Sequence, residues 1–179
     1  MVQSFKNQFL IALNALKGDY FEDTISLIID HNEEGTFGLV INRPVTSNID
    51  GLFEQLSRPI NCPVLEGGPV DQSRVFFLHP IGPSFDATMD IGSDIALTTS
   101  PDILTAMENG NAPDNLIAVL GYSGWGAAQL EQELADNTWL MTPSSQDIVF
   151  FTPDDQKANK AALSLGVDLN LMPTIAGHD

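Results

Sequence analysis

Apolar positions fall in short runs separated by polar turns, and the spacing within each run says what element it favours. Phe9-Leu-Ile-Ala-Leu13 is unbroken, as in a short strand buried on both faces. Thr24–Asp30 and Thr36–Asn42 are rich in β-branched and aromatic residues, and the polar stretch His31-Asn-Glu-Glu-Gly35 between them predicts a hairpin. Further strands are predicted at Arg74–His79, Ile95–Thr98, Leu116–Leu120, Thr138–Thr142 and Ile148–Phe151. Helices are marked by their ends. Ser47 and Asp50 can form a capping pair ahead of Ile49, Leu52, Phe53 and Leu56 on one face. Thr99-Ser-Pro-Asp102 opens a second helix, which Asn109-Gly110 stops. Thr152-Pro-Asp-Asp155 opens another, with Ala158, Ala161, Ala162 and Leu165 at helical spacing and Gly166 as terminator.

Strands and helices are interspersed without strict alternation, which favours an α+β fold over a doubly wound parallel sheet. Residues 1–179 show no repeat, low-complexity tract or long linker, so a single domain is expected. No apolar run approaches the ~18 residues of a membrane span, and the first residues lack a secretory pattern. One cysteine, Cys62, fits a reducing compartment, and a cytoplasmic location is expected.

Charge changes the picture more than composition does. The net charge is −17, with seven basic side chains against 24 acids. Nucleic acid is held largely by neutralising phosphates, and no basic stripe is present, so direct nucleic-acid binding is not expected. Such an acidic surface fits solubility, or a basic protein partner. His31, His79 and His178 have no paired metal spacing and Cys62 has no second cysteine; neither a metal nor a cofactor is expected.

The segment Leu120-Gly-Tyr-Ser-Gly-Trp-Gly126 follows a predicted strand and precedes a helix, as a nucleophile elbow would. The elbow needs G-x-S-x-G, yet Trp125 occupies the second small position, and the only downstream histidine is His178, next to the C-terminal residue. Gly124-Trp-Gly126 also begins a phosphate-binding G-x-G-x-x-G, but Gln129 holds its last position. No catalytic residue is assigned. On a helix begun near Trp125, one stripe holds Ala127, Leu130 and Leu134, and another holds Trp125, Gln129, Gln132 and Asp136. The second stripe is either a cleft wall or an edge of the core, with Gly124 and Gly126 easing a tight start to the helix. Asn42-Arg43 could hold a carboxylate or phosphate through the guanidinium fork, or Arg43 could pair with a surface acid. Glu66-Gly-Gly-Pro69 reads as a turn, His79 as a hydrogen-bonded strand end, and Thr98-Thr-Ser100 as a helix cap that could also hold an anion.

Taken in order, these segments resemble the AlgH/YqgE family of bacterial proteins. The resemblance is carried by Phe9–Ala12, His31-Asn32, Gly35–Pro44, Gly67–Pro69, Phe77–His79, Thr98–Ser100 with Asp102–Leu104, and Leu120–Tyr122. It continues through Trp125, Gln129–Glu133, Asn137–Leu140, Gly166–Asp168, Met172-Pro173 and Gly177-His178. The resemblance implies a bifurcated, mixed and largely antiparallel sheet folded into a pseudo-barrel with peripheral helices. It implies no agreed catalytic residues; one branch is named for regulating alginate production, and transcriptional regulator is the usual label. The family carries alanine at the position of Ser123. Departures are Ala128 where glycine is usual, Leu13-Asn14 in place of Met-Pro, Lys157 near a usual tryptophan, and a terminal Asp179. The alanine at 128 argues against a strict backbone role for that position.

Two classes of function follow. One is a regulator or interaction module acting through a protein partner or a small ligand. The other is a ligand-binding protein or enzyme with a cleft lined by His31, Asn32, Asn42, Arg43, His79, Tyr122, Trp125 and Gln129.

Overall fold

The computed structural model describes residues 4–45 and 62–171. The helix expected from Ser47 and the residue His178 lie outside them. Nine strands form one curled, mainly antiparallel half-barrel: β1 (Gln8–Ala12), β2 (Ile25–Asn32), β3 (Gly35–Val40), β4 (Val64–Glu66), β5 (Val70–Pro80), β6 (Thr88–Asp90), β7 (Ile95–Thr98), β8 (Ile117–Gly126) and β9 (Trp139–Pro143). Among the described residues, four short α-helices accompany them: α1 (Asp102–Glu108), α2 (Gln129–Ala135), α3 (Gln146–Phe151) and α4 (Lys157–Leu163). Spatial order across the sheet is β6-β7-β5-β8-β3-β2-β1-β9, with β4 joined to β8. The α+β class and the bifurcated sheet are as expected.

The bifurcation has a simple cause. β3 pairs with β8 only from Gly35 opposite Gly126 to Gly38 opposite Ser123. Beyond that point the two strands part and β4 fills the gap, parallel to β8 from Val64 opposite Ala118 to Glu66 opposite Leu120. Its other edge meets the chain leaving β3: Glu66 N donates to Arg43 O (2.8 Å), and Val40 N to Gly67 O (2.9 Å). Gly67 N donates to Leu120 O (2.7 Å), so the apex of the fork is stitched to both prongs. A β-carbon at Gly67 would lie 2.5 Å from Gly121 O, and one at Gly68 would collide with the Tyr122 carbonyl. These glycines therefore permit close backbone approach, a stronger requirement than the turn expected of them.

Three apolar clusters hold the sheet. The concave side gathers Phe9, Ile11, Leu27, Ile29, Leu39, Ile41, Phe76 and Val119, closed by Ile148 and Val149 of α3 and Ala161 and Ala162 of α4. α1 lays Ile103 and Leu104 on Val64, Phe77 and Ala118. On the other face of β1 and β2, Leu10, Ile28, Trp125 and Trp139 lie with Leu130 of α2. β1 contributes to two clusters at once, which is why its run has no polar alternation.

Several boundaries differ from those expected. β2 continues through His31 and Asn32, leaving only Glu33-Glu34 between paired strands; an extra residue between Ile28 and Asp30 shifts the register, so polar residues past it still pair. Ile148–Phe151 is the end of α3 rather than a strand, since an apolar run this short suits either period. β8 runs on to Gly126, so Trp125 sits on a strand and the helical stripe drawn through it does not exist. Gly124 and Gly126 do not start a helix. That task falls to Ala128, at φ +64°, the left-handed conformation that favours glycine. Position 128 does impose a backbone requirement, contrary to the inference from its alanine.

Candidate functional site

Ser123 decides the hydrolase question. Its side chain is fully buried at the apex of the fork, where Oγ donates to Gly67 O (3.1 Å). The described histidines, His31 and His79, bond elsewhere, so neither of them primes this hydroxyl. It ties the prongs together.

The eight side chains proposed for one cleft occupy four places. His31 and Trp125 point to the same side of the sheet because both pair with Thr36. His31 is buried with both nitrogens engaged: Nδ1 accepts from Phe5 N (3.0 Å), which leaves Nε2–H to donate to Glu131 (3.1 Å). Its ring stacks on Phe5 at 4.5 Å. Trp125 Nε1 donates to Glu133 Oε1 (3.1 Å). The same oxygen accepts from Trp139 Nε1 (2.9 Å), and Oε2 accepts from Gln129 Nε2 (2.9 Å). Gln129 also closes the turn before α2, accepting from Gly126 N (2.9 Å). Asn32 braces the hairpin, accepting from Glu34 N (2.7 Å), and lines an open hollow with Trp125. Glu131 and Glu133 thus clamp α2 to the sheet. Both fall in the segment Gln129–Glu133 that carries the family resemblance, where local sequence signals only two acids two apart.

Tyr122 faces the concave side, stacked on Phe37 at 4.8 Å. His79 lies at the far end of the sheet. It is fully buried, with Nδ1–H donating to Pro80 O (2.9 Å) and Nε2 accepting from Thr98 Oγ1 (2.8 Å). Thr98 is linked in turn to Thr88 (2.8 Å), which accepts from Phe85 N (2.8 Å). Every link in this row runs one way with a neutral imidazole, and burial lowers the His79 pKa below 6.5. Ser100 accepts from Ala87 N (2.9 Å) and donates to Asp102, so the Thr98 and Ser100 hydroxyls hold protein groups.

Asn42 and Arg43 lie beyond the open end of the hairpin. Asn42 accepts from Ile25 N (3.2 Å) and donates to Asp23 O (2.9 Å). Arg43 donates to Glu22 O (3.0 Å), and its guanidinium rests 4.7 Å from the centre of the Tyr20 ring. Tyr20 is anchored by donating to Glu66 (2.6 Å); burial is the main cause raising its pKa to about 12, and that hydrogen bond adds to it. Arg43 therefore has a π-face and a carbonyl where an acid was one of its expected partners. Both Asn42 and Arg43 line a cleft of about 560 Å³, between the turn at Asn14–Leu16, the 22–24 segment and α4. Sequence reasoning did not foresee Tyr20, Lys17 and Asp155 beside them; only folding brings these segments together.

Two remaining polar groups are structural. Lys157 is 2% exposed, donating to Ile41 O (2.7 Å) and paired with Asp154 (2.7 Å), which fastens α4 beside the fork. Burial pushes the Cys62 thiol up to about 11, away from the thiolate form. No cluster of three or more metal-ligating side chains occurs among the described residues, nor is any described helix long and apolar enough to cross a membrane.

Comparison with known proteins places this architecture. A UPF0301 protein of Hahella chejuensis is 44% identical over 181 residues, covering 99% of this chain and 97% of that protein. The UPF0301 protein AlgH of Pseudomonas aeruginosa is 41% identical over 180 residues, covering 97% and 95%. The solution structure of AlgH from P. aeruginosa superposes with a TM-score of 0.80 at 39% identity over the full length of both chains. A Corynebacterium diphtheriae protein shares the fold at TM-score 0.69 and 17% identity, covering 89% of this chain and 87% of that one. The family model described as AlgH-like matches residues 9–170, and the chain belongs to the AlgH-like family.

Proposed function

We propose that this chain is a cytoplasmic, single-domain regulator of transcription that acts through a protein partner or a small ligand, without catalysis and without direct contact to DNA. The observation that carries this reading is how fully the chemically capable side chains are engaged by the chain itself. His31 and Trp125 bond to glutamates of α2, Asn42 and His79 bond to the protein's own groups in two other places, and Ser123 is spent on the fork. Groups fixed in this way hold a surface in shape. The net charge of −17 supports the exclusion of DNA, since binding would bring like charges together.

The test is genetic and biochemical together. Transcript profiles of a deletion strain are compared after complementation with the wild-type chain and with Ser123→Ala, and the purified protein is titrated into labelled DNA at low salt. Restoration of the same transcripts by both chains, with no DNA retardation, is expected. Unchanged transcripts, retardation of DNA, or loss of complementation by Ser123→Ala would overturn the reading.

A further inference from the structure

The cleft beside Arg43 stands apart in its electrostatics. Among the described residues, Lys157 and Lys160 are paired with Asp154 and Asp147, whereas no ion pair involves Lys6, Arg74 or the two cations Lys17 and Arg43. Both of these cations line the same cleft, in a chain where acids outnumber bases by 24 to seven. Arg43 is also held in place. Its guanidinium lies on a tyrosine ring whose hydroxyl is tied to Glu66, and Glu22 O takes one N–H. A guanidinium carries five N–H donors in a planar fork, so an oriented Arg43 keeps donors for a planar carboxylate. The cleft is not simply anion-seeking, because Asp155, at the start of the helical wall, lines it too, as do Glu22 and Asp23 of the 22–24 segment. Asn159, on α4, offers an amide, and Leu169 gives an apolar patch. Its volume of about 560 Å³ is within the range of small-molecule sites.

We infer that this cleft binds a small zwitterion of the amino-acid type, its carboxylate on Arg43 and Lys17 and its ammonium toward Asp155. Opposed charges on one small ligand match opposed charges on one cleft. A plain anion would leave Asp155 facing it at a cost, and a plain cation would meet Arg43. The inference deepens the regulator reading by naming what is sensed, and it rests on that reading only for its biological use.

Calorimetric titration with the common free amino acids tests it, followed by the N-acetyl and methyl-ester forms of whichever binds, with inorganic phosphate as a simple anion. Saturable binding of a free amino acid is expected, weakened at least tenfold by blocking either end. Lys17→Gln should weaken binding of the free and N-acetyl forms alike, and Asp155→Asn should reduce the preference for a free amine, leaving what Glu22 and Asp23 supply. Both positions are exposed, so the variants should keep the wild-type melting temperature without ligand; Arg43→Gln serves as a third variant if it folds. Absence of binding at millimolar concentration, equal affinity for the blocked forms, or phosphate binding as tightly as the amino acid would overturn the proposal. A blank titration beside restored transcripts would remove the ligand and leave the regulator standing. Tight binding beside unchanged transcripts would do the reverse.

Discussion

The concave interior and the outer face under α2 both bury aromatic rings against β-strands, but they are held by different means. Inside, Phe9, Phe76 and the aliphatic residues around them offer no polar atoms, and the polar work at the fork is done mostly by backbone and by glycines that let strands touch. Outside, Trp125 and Trp139 meet edge-on at 5.9 Å, and both direct their N–H groups to the single carboxylate of Glu133. The interior is specified by shape and tolerates no added volume at its apex. The outer face is specified by one hub, which collects three donors from residues 125, 129 and 139. A shape-held region should fail abruptly on insertion of a methyl group, whereas a hub-held region should fail on removal of a charge.

Gly68→Ala breaks the first half of that contrast. The new β-carbon would meet the Tyr122 carbonyl and the Ser123 hydroxyl, and φ of +156° adds strain. A loss of about 3 kcal/mol or more is expected, read as a fall in the urea midpoint; a midpoint within error of wild type would show that the fork is not close-packed. Glu133→Ala breaks the second half. It strands two indole N–H groups in a largely buried place, and a loss of roughly 2–3 kcal/mol is expected. Glu133→Gln still offers an acceptor oxygen and should recover about half of that loss. If the glutamine and alanine variants are equally unstable, the carboxylate charge and not the acceptor is what α2 needs.

These two regions were unequally legible in the sequence. The interior could be read because burial imposes composition and run length: β1, β7 and the β2–β3 hairpin are visible in Phe9–Ala12, Ile95–Thr98 and the β-branched runs on either side of His31–Gly35. The fork was partly visible as Gly67-Gly68, although a turn and a close approach use the same residue. The outer clamp was not. Glu133 takes its meaning from Trp125 and Trp139, and nothing in local spacing shows that a strand will run on to Gly126 and turn the indole under α2. The cleft at Arg43 was legible only as Asn42-Arg43, because Lys17, Tyr20 and Asp155 join it through chain reversal.

The row at His79 sharpens the comparison, since it is a buried polar network built without charge. Its pKa is lowered, chiefly by burial, so the folded state holds a proton less readily than the unfolded chain at 6.5. Below pH 6.5 the unfolded state therefore binds more protons. The stability contributed by neutral His79 is fully present above 6.5 and is lost as the pH falls through the folded pKa. One proton limits the slope to about 1.4 kcal/mol per pH unit. Urea midpoints taken from about pH 5 to about pH 8 should show this slope in the wild type and a shallower one in His79→Gln. Identical slopes would mean that another group supplies the acid sensitivity.

The smallest effect concerns the turn that delivers α2 to its hub. Ala128 stands at φ +64° just before Gln129, where an L-residue bears a steric cost of roughly 1–2 kcal/mol that glycine escapes. Glycine also gains freedom in the unfolded chain, which takes back about 0.4–1 kcal/mol. Ala128→Gly should therefore stabilise by about 0.5 kcal/mol, a modest rise in melting temperature. In the Glu133→Ala background the gain should shrink, because a well-formed turn matters less once the helix has lost its anchor. An undiminished gain would show that the turn and the clamp act independently, and that α2 is positioned by the backbone at Ala128 before any carboxylate reaches the indoles.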